Sequence, residues 1–331
     1  MNGRSLFLLL LLLLIVGCQE TAVGKDLDAG ETAVPLPTRP TSTPQPAPEP
    51  LPYGLVYPAA QSSWTEADRA ALRRQLTALH DMGINTVIQT FSSGLAGTGQ
   101  EGDWLIFLDE AERAEIKVIA RLWPLTEEAG EPFDLEPAAA FLAVTGDHPA
   151  LLAYLGLHEP LERFNSDRMR QFYTSIKEIA PDLPVAHYMG SMALFDGSLR
   201  FPGRRFTEGI CDICIVWCTP AQTRDGEPYF DETAVIQTVR DNRRLIDERA
   251  PDSQLWFLGQ TYALADHRDQ LRMPTPDEMA QIFDLAIDEG VDGFLWYPWL
   301  HGSYDAVLSS PEMEAQQQAV SQIIQSYLAK P

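Results

Sequence analysis

The sequence predicts a (β/α)8 barrel (TIM barrel, class α/β) over residues 53–330, preceded by a signal segment at 1–17 and a linker at 18–52. Three observations predict it. Apolar runs of strand length alternate with segments of helical spacing from Tyr53 to the C-terminus. Those runs are apolar through their length, as parallel strands covered on both faces should be. No glycine-rich phosphate fingerprint follows the first run, which weakens an open nucleotide-binding sheet as the alternative.

The elements follow in order. "MNGRSLFLLLLLLLIVGC" places Arg4 before an apolar run and small residues before Cys18, the layout of a bacterial lipoprotein signal with Cys18 lipidated. The run is short for a membrane span. "PLPTRPTSTPQPAPEPLP" buries too little apolar surface to offset its ordering entropy and reads as a disordered spacer. The barrel then begins. "YGLVYP" is a strand, and "TEADRAALRRQLTALHDMG" a helix with a threonine cap and a glycine stop. Strand "INTVIQTF", helix "DWLIFLDEAERAE", strand "IKVIARLWP" and helix "LEPAAAFLAVTG" follow. Next come strand "LLAYLGLHEP", helix "SDRMRQFYTSIKEIAP", strand "LPVAHYMG", an irregular segment and strand "CDICIVWCTP". Helix "DETAVIQTVRDNRRLIDERAP", strand "SQLWFLGQTYA", helix "TPDEMAQIFDLAIDEG", strand "VDGFLWYPW" and a closing helix complete the set. Eight βα units of this size fit a closed barrel.

Composition excludes some functions. The formal net charge of −23 argues against nucleic acid and anionic lipid headgroups as partners. Contact with a membrane is expected only through the N-terminal lipid, which places the protein at the cell surface or on the periplasmic side. Cys211, Cys214 and Cys218 crowd into "CDICIVWC". Strand alternation points Cys211 and Cys214 to opposite faces, and no second cluster completes a zinc site, so all three read as small buried hydrophobes. No histidine pair stands at H-x-x-x-H spacing, and no metal or cofactor is expected.

A barrel of this kind builds its site at the carboxyl ends of its strands. Those ends offer Tyr57, Gln89, Thr90, Arg121, Trp123, His158, Glu159, His187, Tyr188, Trp217, Gln260, Tyr262, Trp296, Tyr297 and Trp299. Aromatics and neutral hydrogen-bonding groups dominate. The mixture suits sugars, whose C–H faces stack on rings and whose hydroxyls need partners, and suits phosphorylated ligands poorly. Trp299 reads as a ligand contact, whereas Trp296 divides between ligand and barrel filling. Glu159 stands out as a carboxylate rimmed by aromatics, a setting that raises a carboxyl pKa and fits a general acid. The plain alternative for Glu159 is an ion pair with Arg121.

"HPALLAYLGLHEP" resembles the "HPALLGYYLxDEP"-like fourth strand of bacterial members of the clan A glycoside hydrolases. "LWFLGQTYA" followed by "RMPTPDEMAQIFDLAIDEGVDGFLWYPW" resembles their seventh and eighth strands. The resemblance implies a carbohydrate ligand, with Glu159 at the position of the acid/base and Gln260 where a nucleophilic glutamate is expected. An amide is a poor nucleophile and cannot act as a base. Three readings stay open. A loop carboxylate (Asp196, Asp225, Glu227 or Asp305) serves an inverting mechanism, the barrel binds carbohydrate without cleaving it, or the substrate supplies its own nucleophile.

Overall fold

The computed structural model describes residues 53–57, 64–123, 133–196, 203–264, 270–298 and 306–330, all within one compact unit, Pro52–Pro331. The signal segment, Cys18 and the linker lie outside the described residues, as do Trp299 and Asp305.

Eight parallel strands close a barrel. They are β1 (Tyr53–Tyr57), β2 (Thr86–Ser92), β3 (Lys117–Trp123), β4 (Leu151–His158), β5 (Val185–Gly190), β6 (Ile213–Trp217), β7 (Gln254–Gln260) and β8 (Gly293–Tyr297). Each pairs with its sequence neighbour, and β8 closes on β1 through Tyr53↔Phe294 and Leu55↔Trp296. The expected barrel is therefore the one observed.

Among the described residues, seven helices of ten residues or more cover it: α1 (Glu66–Asp81), α2 (Asp103–Arg113), α3 (Glu136–Thr145), α4 (Ser166–Ile179), α5 (Glu232–Arg249), α6 (Pro276–Asp288) and α7 (Glu314–Leu328). Their starts follow local chemistry. Thr65 with Asp68 and Thr275 with Glu278 form reciprocal capping boxes, and Asn165 and Asp231 cap α4 and α5 through their side chains. After β5 the described chain makes only a single helical turn, Met192–Phe195, where the sequence reads as irregular.

The barrel interior is filled by Ile88, Ile119, Ala153, Leu155, Ala186, Ile213, Ile215, Trp256, Leu258 and Leu295, with Tyr188 above them. Alternate residues face the helices: Phe91 meets Phe107 of α2, and Phe294 meets Phe283 of α6. Gly156 permits one close approach, because a Cβ there would stand 2.4 Å from Phe172 of α4.

Two expectations are corrected. The three cysteines are buried, but Cys211 and Cys214 form a disulfide. Cys211 precedes β6, so strand alternation does not apply to it and its Cα comes within 6.0 Å of that of Cys214. The segment after β6, expected to be a plain loop carrying Asp225 and Glu227, forms an antiparallel hairpin, Ala221–Arg224 with Glu227–Phe230. Its turn is Asp225-Gly226, both at positive φ, a pair suited to tight hairpins.

Candidate functional site at the barrel mouth

Alternation along each strand decides which tips reach the mouth. On β3, Ile119 faces the interior, so Arg121 does too, and its guanidinium lies 5.9 Å from the Tyr188 ring. On β4, Leu155 faces inward, and unbroken alternation would send His158 outward. The pairing with β5 instead slips between Leu155 and His158, which sets His158 opposite Tyr188. This irregularity turns His158 into the mouth. Its ring stands 5.4 Å from Tyr188 and 6.1 Å from Trp217, and Tyr188 meets Trp217 edge-on at 6.1 Å.

Glu159 follows directly. Its backbone is left-handed (φ 48°, ψ 50°), and its N–H donates to the Tyr188 carbonyl at 2.7 Å. A non-glycine residue in this region is uncommon and costly, and such residues concentrate at functional sites. The side chain is about 10% exposed, with Oε2 4.0 Å from His158 Nδ1, too far for a hydrogen bond. Oε1 lies 3.9 Å from the position a Cβ would take at Gly190, and Trp217 Cη2 is equally close to that position. Gly190, at φ 65°, thus keeps open the space between the carboxylate and the indole.

The charge states follow from burial. His158 is held below its ordinary pKa, first by burial and then by the guanidiniums of Arg121 and Arg163. It is a neutral imidazole at neutral pH. Burial pushes the Tyr188 phenol up, so it remains an O–H donor. The mouth therefore holds a carboxyl group, a neutral imidazole, a phenol, an indole and an arginine. Tyr297 joins from β8, and Tyr262, just past β7, stands edge-on to it at 5.9 Å.

Other sequence-predicted site residues go elsewhere. Gln89 is fully buried on the helix side of β2, its amide donating to the Thr90 carbonyl. His187 faces outward between Ala186 and Tyr188; its Nδ1 accepts the Leu157 N–H and its ring packs on Phe172. Trp296 also faces outward, fully buried against Phe294. In each case the tip lies one residue out of phase with the inward row. Gln260 lies in the inward row but is sealed, about 1% exposed. Its Oε1 accepts the Ala221 N–H, and its Nε2 reaches the carbonyls of Ala221, Tyr262 and Arg272. It is not available to a ligand. The side chains of Tyr57 and Trp123 lie outside the described residues.

The loop carboxylates proposed as a base are also placed. Asp196 pairs with Arg249, at the end of α5 remote from the mouth. Asp225 and Glu227 are exposed at the hairpin turn. Among the described residues no group of three His, Cys, Asp or Glu side chains is arranged to hold a metal ion. Sequence reasoning missed Gly190 and Arg163 as parts of the site. The glycine ending "HYMG" was the available signal for the first; nothing local marked the second.

No protein-family model matches the chain, and no curated protein matches it. Solved structures do match in fold. A GH5_18 protein from Bifidobacterium longum subsp. infantis superposes with a TM-score of 0.59 at 11% identity, covering 85% of this chain and 80% of its own. A GH5_18 variant from Streptomyces cattleya, in complex with Manb1-4GlcNAc, gives 0.58 at 15% identity, covering 86% and 82%. The GH99 endo-alpha-mannosidase from Bacteroides thetaiotaomicron gives 0.56 at 10% identity, covering 80% and 81%. The likeness is one of fold: the chain shares its closed (β/α)8 barrel with these solved structures.

Proposed function

We propose that the mouth of this barrel binds an oligo- or polysaccharide, and that the protein does not cleave it by a carboxylate pair on β4 and β7. The observation that carries the reading is the convergence of His158, Tyr188 and Trp217 beside Glu159 at the strand ends. Rings offer stacking faces for sugar C–H groups, while the carboxylate, Arg121 and the phenol offer hydrogen bonds to hydroxyls. The binding reading is favoured over hydrolysis by Gln260. A carboxylate is missing there, and the amide is fully engaged with backbone.

A hydrolytic reading keeps one supporting observation, the left-handed Glu159 carboxylate at the end of β4. It requires a second carboxylate about 6.5–9.5 Å away for inversion, and Asp305, the remaining loop candidate, lies outside the described residues. Placement outside the cytoplasm, anchored through Cys18, belongs to the same proposal. It is supported by the signal pattern and by the Cys211–Cys214 disulfide, since such bonds persist in oxidising compartments.

The test is a panel of oligosaccharides, with Manb1-4GlcNAc and β1-4-linked manno-oligosaccharides among them. Binding is followed by calorimetry and reducing-end release by colorimetry. Wild type is expected to bind at least one glycan without release, and Trp217→Ala to lose about tenfold or more in affinity, as for a stacking contact of ~1.4 kcal/mol. Release by wild type that disappears in Glu159→Gln would replace binding by hydrolysis. Absence of binding to every glycan would remove the carbohydrate reading.

A further inference from the structure

Above β6, β7 and β8 the loops assemble a ribbon of their own. The hairpin Ala221–Arg224/Glu227–Phe230 is extended by residues 270–272, since Gln222 bridges Leu271. Leu271 bridges Leu264 on its other side, and Tyr262–Ala263 pairs with Ala306–Val307. Five short segments from three loops thus lie side by side, all antiparallel. The hydrogen bonds between them include Thr223 N–H to Gln270 carbonyl (3.0 Å), Arg272 N–H to Ala221 carbonyl (3.3 Å) and Leu264 N–H to Leu271 carbonyl (2.8 Å).

Two side chains tie this ribbon to the barrel. Gln260, the last residue of β7, contacts three of its segments through the backbone of Ala221, Tyr262 and Arg272 at 2.9–3.2 Å. Arg272 donates to the carbonyls of Gln222 (3.0 Å) and Tyr229 (3.1 Å) and pairs with Glu278 of α6 at 2.5 Å. The ribbon carries Tyr262, whose ring meets Tyr297 of the mouth.

We propose that Gln260 is a positioning residue: its amide holds the five-segment ribbon as a fixed wall on the β6–β8 side of the mouth and sets the Tyr262 ring against Tyr297. The use of this wall in ligand binding rests on the carbohydrate reading; the existence of the clamp does not. The position demands an amide. It must accept from the Ala221 N–H and donate to carbonyl oxygens, and a carboxylate has no donor. An ionised glutamate would face three carbonyl oxygens, and the guanidinium it would attract, that of Arg272, already holds Gln222, Tyr229 and Glu278. The other charged pair of the ribbon, Arg224 with Asp231, is complete at 3.5 Å.

Hydrogen exchange read by mass spectrometry on the full chain tests this. In Gln260→Glu at pH 7, exchange in residues 221–224, 262–264 and 270–272 is expected to accelerate tenfold or more, with β2–β4 unchanged. After correction for intrinsic rates, protection should return in this variant on acidification, because a neutral carboxyl regains a donor. Wild type should show no such return. Gln260→Met keeps the length of the side chain but has no amide donor and no carbonyl acceptor, so it should loosen the same segments without recovery on acidification; it decides the matter if Gln260→Glu does not fold. Unchanged protection in these variants, or acceleration spread evenly over the barrel, overturns the clamp. Calorimetry with Manb1-4GlcNAc and β1-4-linked mannohexaose separates the two claims: failure of wild type to bind weakens the carbohydrate reading, while exchange still decides the clamp.

Discussion

Replacing Glu159 by glycine separates a functional carboxylate from a structural one. The residue sits at φ 48°, ψ 50°, where a side chain costs about 1–2 kcal/mol relative to right-handed backbone and glycine costs nothing. Glycine also frees the unfolded chain, which offsets roughly 0.4–1 kcal/mol of that gain. If Glu159 serves a ligand, these backbone terms leave Glu159→Gly between neutral and about 1.6 kcal/mol more stable than wild type, less the contacts its side chain makes, a few degrees in Tm at most. Glycan affinity should fall in the same variant. Urea unfolding followed by tryptophan fluorescence, with melts at matched concentration, measures the first quantity, and calorimetry the second. A loss of about 2 kcal/mol or more would refute the argument. It would mean that the carboxylate holds the strand ends together as an ion pair, and that the strained backbone has no functional cause.

Three further outcomes follow from the same geometry. His187 is held at a pKa of about 4, chiefly by burial, against an ordinary 6.5; the folded state resists its protonation, so stability is full above about pH 6.5 and declines as pH falls towards 4. The fall of the urea midpoint with pH across that window should become shallower in His187→Gln, His158 supplying part of what remains, and an unchanged fall would remove His187 as a cause. Gly156→Ala places a methyl group 2.4 Å from Phe172 and should cost about 1–3 kcal/mol by overpacking, seen as a lowered urea midpoint at unchanged slope. Reduction of Cys211–Cys214 opens a loop of sequence separation 3, so Cys211→Ser with Cys214→Ser should cost no more than about 2 kcal/mol. Thiol counting on the unfolded wild-type chain, which should leave Cys218 reactive while 211 and 214 are not, checks the bond itself.

Most of the architecture was legible because its signals are local. Thr65, Asp231 and Thr275 mark helix starts by capping chemistry that acts within three residues. The uniformly apolar strands announce a sheet covered on both sides. The hairpin at 221–230 was legible too, in Asp225-Gly226 flanked by strand-forming residues, but the acidic loop reading of Asp225 and Glu227 hid it. The site was legible only in part. Arg121, His158, Glu159, Tyr188 and Trp217 converge as a strand-end reading expects, whereas Gln89, His187 and Trp296 turn towards the helices. Being last on a strand says which end a residue occupies. It does not say which side its side chain takes.

By itself, the amino-acid order determined the succession of βα units and the clustering of polar and aromatic residues at their ends, because periodicity, caps and turn residues act over a few positions along the chain. The tertiary structure alone decided the phase of each tip: on β4 an irregularity between Leu155 and His158 brings His158 opposite Tyr188, and on the other strands the register settled which of two neighbours faces inward. It also decided what Gln260 does: the groups its amide bonds come from residues up to 39 positions away, and no local pattern encodes that meeting.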